Sequence, residues 1–327
     1  MAEKKTFDIL ALGEILIDFT PHQADDGIMV YRRNPGGAPL NMLAQASVLG
    51  ARTAFIGKAG RDGFGDYLEK TAREAGIDTE HLMRSDRVPT TLAFVHLAPD
   101  GERSFSFYRK PGADIMLEKE DLDPALFLKS HIFHFGSLSV TDEPARSATK
   151  EAIRLAKESG CVLSYDPNYR PALWEKEADA VAQMKGQIAF ADIVKVSEEE
   201  MEMITGSKDP AEGTKEILAL GVKMVCVTFG REGSFFRCGD RCGHVDSFPV
   251  NAVDTTGAGD AFWGAVLSRI RSYTADTLNE VSEAEWQDII SYGNAAGALV
   301  ASNYGAINSV RNDADIRKLM REGIAAF

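Results

Sequence analysis

From Leu122 onward the chain alternates short apolar runs with longer segments whose apolar residues recur at helical spacing. Ile132 to Phe135 reads as a strand, Glu143 to Ser159 as a helix and Cys161 to Asp166 as a strand again. Asp192 to Gly206 reads as strand, acidic helix and glycine stop. Nearer the start, Asp8 to Phe19 is almost continuously apolar, as a strand buried on both faces of a parallel sheet is. This alternation is the pattern of an α/β fold, and 327 residues suffice for one large α/β domain or two smaller ones.

Within that frame one stretch carries chemistry: Asn251-Ala-Val-Asp-Thr-Thr-Gly-Ala-Gly-Asp-Ala-Phe-Trp-Gly264. Val245 to Val250 before it reads as extended, and Ala261 to Ile270 has helical spacing, so Thr255 to Asp260 is expected to be a tight turn opening a helix. The first N–H groups of a helix lack internal partners and the dipole is positive there. Gly257 and Gly259 let an anion approach that backbone. Asp260, in the first helical turn, would repel the anion as a mere ligand, so its sensible use is as a base that takes a proton from a hydroxyl during phosphoryl transfer. An ordinary helix start is the plainer alternative. A dinucleotide-binding glycine turn is disfavoured by the spacing to Gly264 and the late position in the chain.

Asp254-Thr-Thr-Gly-Ala-Gly-Asp-Ala-Phe-Trp-Gly-Ala265 resembles the second signature of the ribokinase-like sugar kinases, the phosphofructokinase-B family. The run from Gly36 to Gly65 resembles the first, and the likeness extends from Gly13 to Ser309. It implies a three-layer α/β/α sandwich with a mostly parallel central sheet and a small β-sheet lid. The chain 1–327 would be a single domain, with lid strands from about residues 19–34 and 88–112. The second lid stretch shows its own signals: Pro99-Asp-Gly101 is a turn, and Arg103 to Tyr108 alternates polar and aromatic residues.

The resemblance also implies roles. Asp260 would be the catalytic base, and the amides of Gly257, Ala258 and Gly259 the anion hole. The sugar would meet Asp18, Gly36, Gly37, Asn41, Arg109, Asn168 and Arg170. Asp18, read as the carboxyl end of the first strand, lies where α/β sheets gather ligands. Asp166, Asn168 and Arg170 cluster at another strand end, where an arginine can steady phosphate, carboxylate or hydroxyls, or can shape the loop by a salt bridge. ATP would meet Ser197, Thr228, Gly230, Gly233, Thr255, Gly257, Gly259, Asn294 and Ala298. Glu200 would organise Mg2+ mainly through water, with Ser197 standing where the family has asparagine. Asp254, Thr256, Val300, Asn303, Gly305 and Ser309 match a loop that holds K+ in some members.

Gly13 to Asp18, Gly36 to Asn41 and Phe107 to Asp114 are most similar to fructokinases, so fructose is the expected acceptor. The alternatives are 2-keto-3-deoxygluconate, whose carboxylate Arg109 and Arg170 would bind, and a catalytically silent relative that only binds sugar or nucleotide. The sequence contains no Gly-x-x-x-x-Gly-Lys-Ser/Thr, which excludes a P-loop kinase. A net charge of −13 disfavours nucleic acid as a partner. No run approaches membrane-spanning length, no signal peptide is visible, and Cys161, Cys226, Cys238 and Cys242 show no disulfide framework. Cys238-x-x-x-Cys242 lacks a full set of zinc ligands and reads as a hairpin. A cytoplasmic enzyme, dimeric through the lid as family members often are, is the resulting expectation.

Overall fold

The computed structural model describes residues 5–24, 27–97 and 103–323. The turn expected at Pro99-Asp-Gly101 lies outside the described residues. In chain order the elements begin β1 (Phe7–Leu12), β2 (Leu16–Gln23), β3 (Met29–Gly36), α1 (Ala38–Val48), β4 (Thr53–Gly60), α2 (Gly63–Glu74), β5 (Ile77–Asp78), β6 (Leu82–Ser85), β7 (Thr91–Leu97) and β8 (Arg103–Tyr108). They continue α3 (Pro124–Leu128), β9 (Ser130–Gly136), α4 (Ala145–Glu158), β10 (Val162–Asp166), α5 (Glu177–Ile188), β11 (Ile193–Ser197), α6 (Glu198–Thr205) and α7 (Pro210–Ala219). The last are β12 (Met224–Thr228), β13 (Ser234–Cys238), β14 (Arg241–Val245), α8 (Ala258–Ile270), α9 (Glu283–Ala301) and α10 (Asp313–Glu322).

The central sheet runs parallel in the order β12-β11-β10-β9-β1-β4. The β12–β13–β14 meander extends one edge antiparallel, and β5 and β6 pair with β4 at the other. Successive strand residues serve opposite faces. Ile9 and Ala11 pack under α1, α2, α8 and α9 with Leu43, Leu68, Trp263 and Trp286. Leu10 and Leu12 pack under α3 to α7 with Phe127, Ile153, Met184, Met201 and Ile217. The result is the expected three-layer sandwich. Among the described residues no helix is long and apolar enough to cross a membrane.

A second, four-stranded sheet, ordered β3-β2-β7-β8, is the lid. Its strands lie within the two stretches expected, extended at the start to Leu16 and at the end of β3 to Gly36. This corrects the reading of Asp8 to Phe19 as one buried strand. The run breaks after Leu12, and Asp18 belongs to the lid rather than to the end of a central strand. The break has a local cause. Gly13 packs so closely on Pro39 that a Cβ would lie 2.6 Å from the proline Cγ. The Glu14 side chain accepts the Ala38 amide at 2.7 Å, serving α1 as the N-terminal carboxylate its own first turn lacks. A second correction concerns Val245 to Val250: β14 ends at Val245, and residues 246–250 form no regular element.

Candidate active site

Gly257 is the N-cap of α8, in the left-handed region at φ 77° with no side-chain cap. A Cβ there would also lie 2.3 Å from the Cβ of Ala306, so only glycine fits. Asp254 ties the turn down: Oδ1 accepts the Thr256 amide at 3.0 Å and Oδ2 the Gly305 amide at 3.1 Å. Of the three expected anion-hole amides, Ala258 N already donates to Thr255 O at 3.2 Å. Asp260 follows in the first turn, and Asn41 Nδ2 of α1 donates to its Oδ2 at 2.8 Å. Burial pushes the Asp260 carboxyl up to about 6, against the Asn41 hydrogen bond. Asp166 pushes the same way as burial, while Lys195 and Arg170 oppose it.

Four elements converge on this carboxylate. β2 brings Asp18, which burial raises to about 7 while Arg170 pulls it down. Asp18 faces the site because it shares one face of the lid with Asn34, Ala93 and Phe107 across three strand pairs. At Gly36 a Cβ would meet Asp18 Oδ2 at 2.1 Å, so the glycine makes room for the carboxylate. Gly37, the N-cap of α1, lies next to it at φ 117°. Asn41 Oδ1 is buried and has no partner, an open acceptor beside the candidate base.

The β10 end supplies Asn168, the described non-glycine residue with positive φ (47°), and Arg170. The Arg170 guanidinium donates to Tyr169 O at 3.0 Å and lies 6.0 Å from the Phe105 ring of the lid. Arg109 behaves differently. It is buried in an ion pair with Asp114 at 2.7 Å and also donates to Thr141 Oγ1 and Leu138 O, both at 2.9 Å. Most of its donors are therefore committed inside the protein.

Beneath the turn lies a network in which Lys195 is the member that no motif marked. Lys195 Nζ, on β11, donates to Asp166 Oδ2 at 2.7 Å, and both side chains are buried. Asp166 Oδ1 accepts the Asn168 amide at 3.2 Å. Glu200 accepts Tyr169 N at 2.6 Å and Ser197 N at 2.8 Å, pinning the Asp166–Arg170 turn to the start of α6. The Ser197–Glu200 pair is a capping box, and burial raises the Glu200 carboxyl, with Asp166 adding to the effect. One signal was available in the sequence: Lys195 is the lone charge inside the apolar run Ile193 to Val196.

Of the residues expected to meet ATP, Ser197 and Thr228 are strand partners at the carboxyl ends of β11 and β12. Gly230 and Gly233 form the turn beyond, both at positive φ. Asn294 is held by Ser234 Oγ at 2.6 Å and donates to Val245 O at 2.9 Å, so its amide is already engaged. The small residues around it let α9 approach α8: a Cβ at Gly297 would lie 2.9 Å from Ala258 O. Ala298, one residue on, is buried in that helix. Thr255 stands in the turn before Gly257. After α9, Asn303 N donates to Val300 O at 3.0 Å and Ser309 Oγ to Tyr304 O at 2.9 Å, folding this loop back against Asp254.

Comparison with known proteins agrees with this fold. The family described as pfkB family carbohydrate kinase matches residues 6–313. "Fructokinase-1" of Zea mays is 40% identical over 318 residues, covering 96% of this chain and 98% of that one. A structure of fructokinase with bound ATP from Xylella fastidiosa superposes with TM-score 0.89 at 30% identity, covering 96% and 98% of the two chains. A fructokinase of Vibrio cholerae O395, in a form with fructose, ADP and calcium ion bound, superposes with TM-score 0.84 at 31% identity, covering 95% and 97%.

Proposed function

The chain belongs to the pfkB family of carbohydrate kinases, and on that premise we propose that it phosphorylates fructose from ATP. The observation that carries the chemistry is Asp260, held by Asn41 at 2.8 Å in the first turn of α8. Asp260 takes the proton of a sugar hydroxymethyl, and the oxygen attacks the γ-phosphorus. A bond forms between them, the bond from that phosphorus to the β–γ bridging oxygen breaks, and ADP leaves. The amides of the Gly257–Gly259 turn and the α8 dipole face the charge on the transferring group. Asp18, Asn41 Oδ1, Asn168 and Arg170 orient the sugar hydroxyls, and the lid keeps out water that would compete for the phosphate.

Mg2+ neutralises the phosphates when ATP binds. Glu200, both oxygens occupied by backbone amides, fits a place behind a metal-bound water rather than direct ligation. Asp254, Thr256, Val300, Asn303, Gly305 and Ser309 form a set of hard oxygen donors that suits K+, which would offset the Asp254 charge beside the turn. The arginines weigh against the keto-acid reading, because Arg109 is spent on Asp114 and Arg170 alone remains for a carboxylate. A dimer closed through the lid is supported by exposed Met29, Val30 and Tyr31 on β3. Unpaired cysteines suit a cytoplasmic location.

ADP release from Mg-ATP over a panel of fructose, 2-keto-3-deoxygluconate and ribose tests the assignment. Fructose should be turned over best, and Asp260→Asn should lower kcat by on the order of 10²–10⁴ while ATP still binds. Preference for the keto-acid would reassign the substrate, and near-normal turnover by the variant would remove Asp260 from the mechanism.

A further inference from the structure

Lys195 sits where an isolated cation is costly. Its side chain is 8% exposed, and it lies under the first turn of α8, whose dipole end is itself positive. Nζ is 3.4 Å from where a Cβ of Gly259 would be, ordinary van der Waals distance, so the ammonium lies beside the anion-binding turn. Asp166 accounts for one of its three N–H donors. Among the described residues it has no other hydrogen-bond acceptor, although the groups around it are polar: Asp166, Glu200 and Asp260 all act on it electrostatically. A buried ammonium with spare donors, pressed against a helix N-terminus, is arranged to meet an anion that arrives there.

We propose that the Lys195 ammonium contacts the phosphoryl group in transit and is a second catalytic group of the site. This rests on the reading of Asp260 and the Gly257–Gly259 turn as a phosphoryl-transfer centre. Lys195 keeps its protons throughout. It adds positive charge from below as the bond to ADP breaks and the bond to the sugar oxygen forms, while Asp260 alone takes the hydroxyl proton. Asp166 holds the ammonium in place and is a positioning residue. The plainer possibility is that Lys195 exists only to neutralise Asp166.

Lys195→Met/Asp166→Asn separates the two, because it removes cation and counter-ion together and leaves no lone buried charge. ADP release is measured with Mg-ATP and fructose, and kcat is referred to the protein that binds ADP by calorimetry, so misfolded protein does not count as slow enzyme. The expected kcat is lower by on the order of 10², as when one donor to a developing charge is lost, with KM for fructose changed less than about threefold. A kcat within about threefold of wild type overturns the proposal. A second arm needs no sugar. Wild type should bind ADP with beryllium fluoride, a stand-in for the γ-phosphoryl group, more tightly than ADP alone, and the double variant should lose most of that gain. An undiminished gain overturns the proposal. Lys195→Gln, which can still donate to Asp166, replaces the double variant in both arms if the latter fails to bind ADP. If wild type turns over no sugar, the fructokinase reading fails, and the fluoride arm still decides the role of Lys195.

Discussion

Two buried ion pairs stand near the site, and they are used differently. Arg109 and Asp114 meet at 2.7 Å, as do Lys195 and Asp166. Arg109 spends its remaining donors on Thr141 and Leu138, so it fastens the segment after the lid to the β9 end. Lys195 spends one donor on Asp166 and stops short of the Gly259 backbone. A cation whose hydrogen bonds are satisfied inside the protein is structural, whereas one with open donors at a helix N-terminus is available to a ligand. The arginine belongs to a recognisable motif and the lysine to none, so motif membership and chemical availability are separate properties here.

The largest expected effect that would break this contrast concerns stability. Arg109→Met leaves Asp114 buried without its counter-ion, with only the Thr91 hydroxyl still donating to it, which should cost about 3–5 kcal/mol by denaturant titration while kcat per folded molecule changes little. A collapse of kcat at unchanged stability would put Arg109 in the sugar site and undo the comparison. A smaller effect comes from Glu14, a third buried charge, whose Oε2 has no partner. Burial raises its pKa from 4.5 to about 7 in the folded protein. Its ionisation therefore opposes folding increasingly as pH rises through that interval, and below it the wild-type side chain is already neutral. Glu14→Gln should accordingly add about 3 kcal/mol at pH 8 and almost nothing at pH 4. An equal gain at both values would mean that packing, not charge, is responsible.

The smallest effect sharpens the contrast most. Asp260 must be ionised to act as base, so kcat/KM should fall below an acid limb near its pKa of about 6. Lys195 lowers that pKa, so Lys195→Met should move the limb to higher pH. Arg109 is not among the principal groups acting on Asp260, so Arg109→Met should leave the limb in place. A limb that stays fixed in both variants would detach Lys195 from Asp260.

What could be read in the chain follows from the range of the forces involved. The turn at Gly257 and the first-turn position of Asp260 were legible because each is settled within a few residues. The α/β class was legible because parallel strands buried on both faces must be apolar almost throughout, whereas the three layers were implied by the family resemblance. The same rule hid the break after Leu12: Ile15, Leu16 and Ile17 are as buried in their new setting as a central strand would make them, so hydrophobicity could not report the change of sheet. Nor could spacing show that Arg109 would turn inward to Asp114, or that Lys195 would rise beneath Gly259 from a strand 64 positions earlier in the chain (259 − 195).

The sequence by itself determined the local parts: that strands and helices alternate, where a helix opens on a glycine turn, and that a carboxylate stands in its first turn. Only the tertiary structure decided which charges meet. Caps and turns are short-range and depend on neighbouring residues, whereas the state of Asp260, Asp18, Lys195 and Arg109 depends on burial and on partners contributed by distant strands.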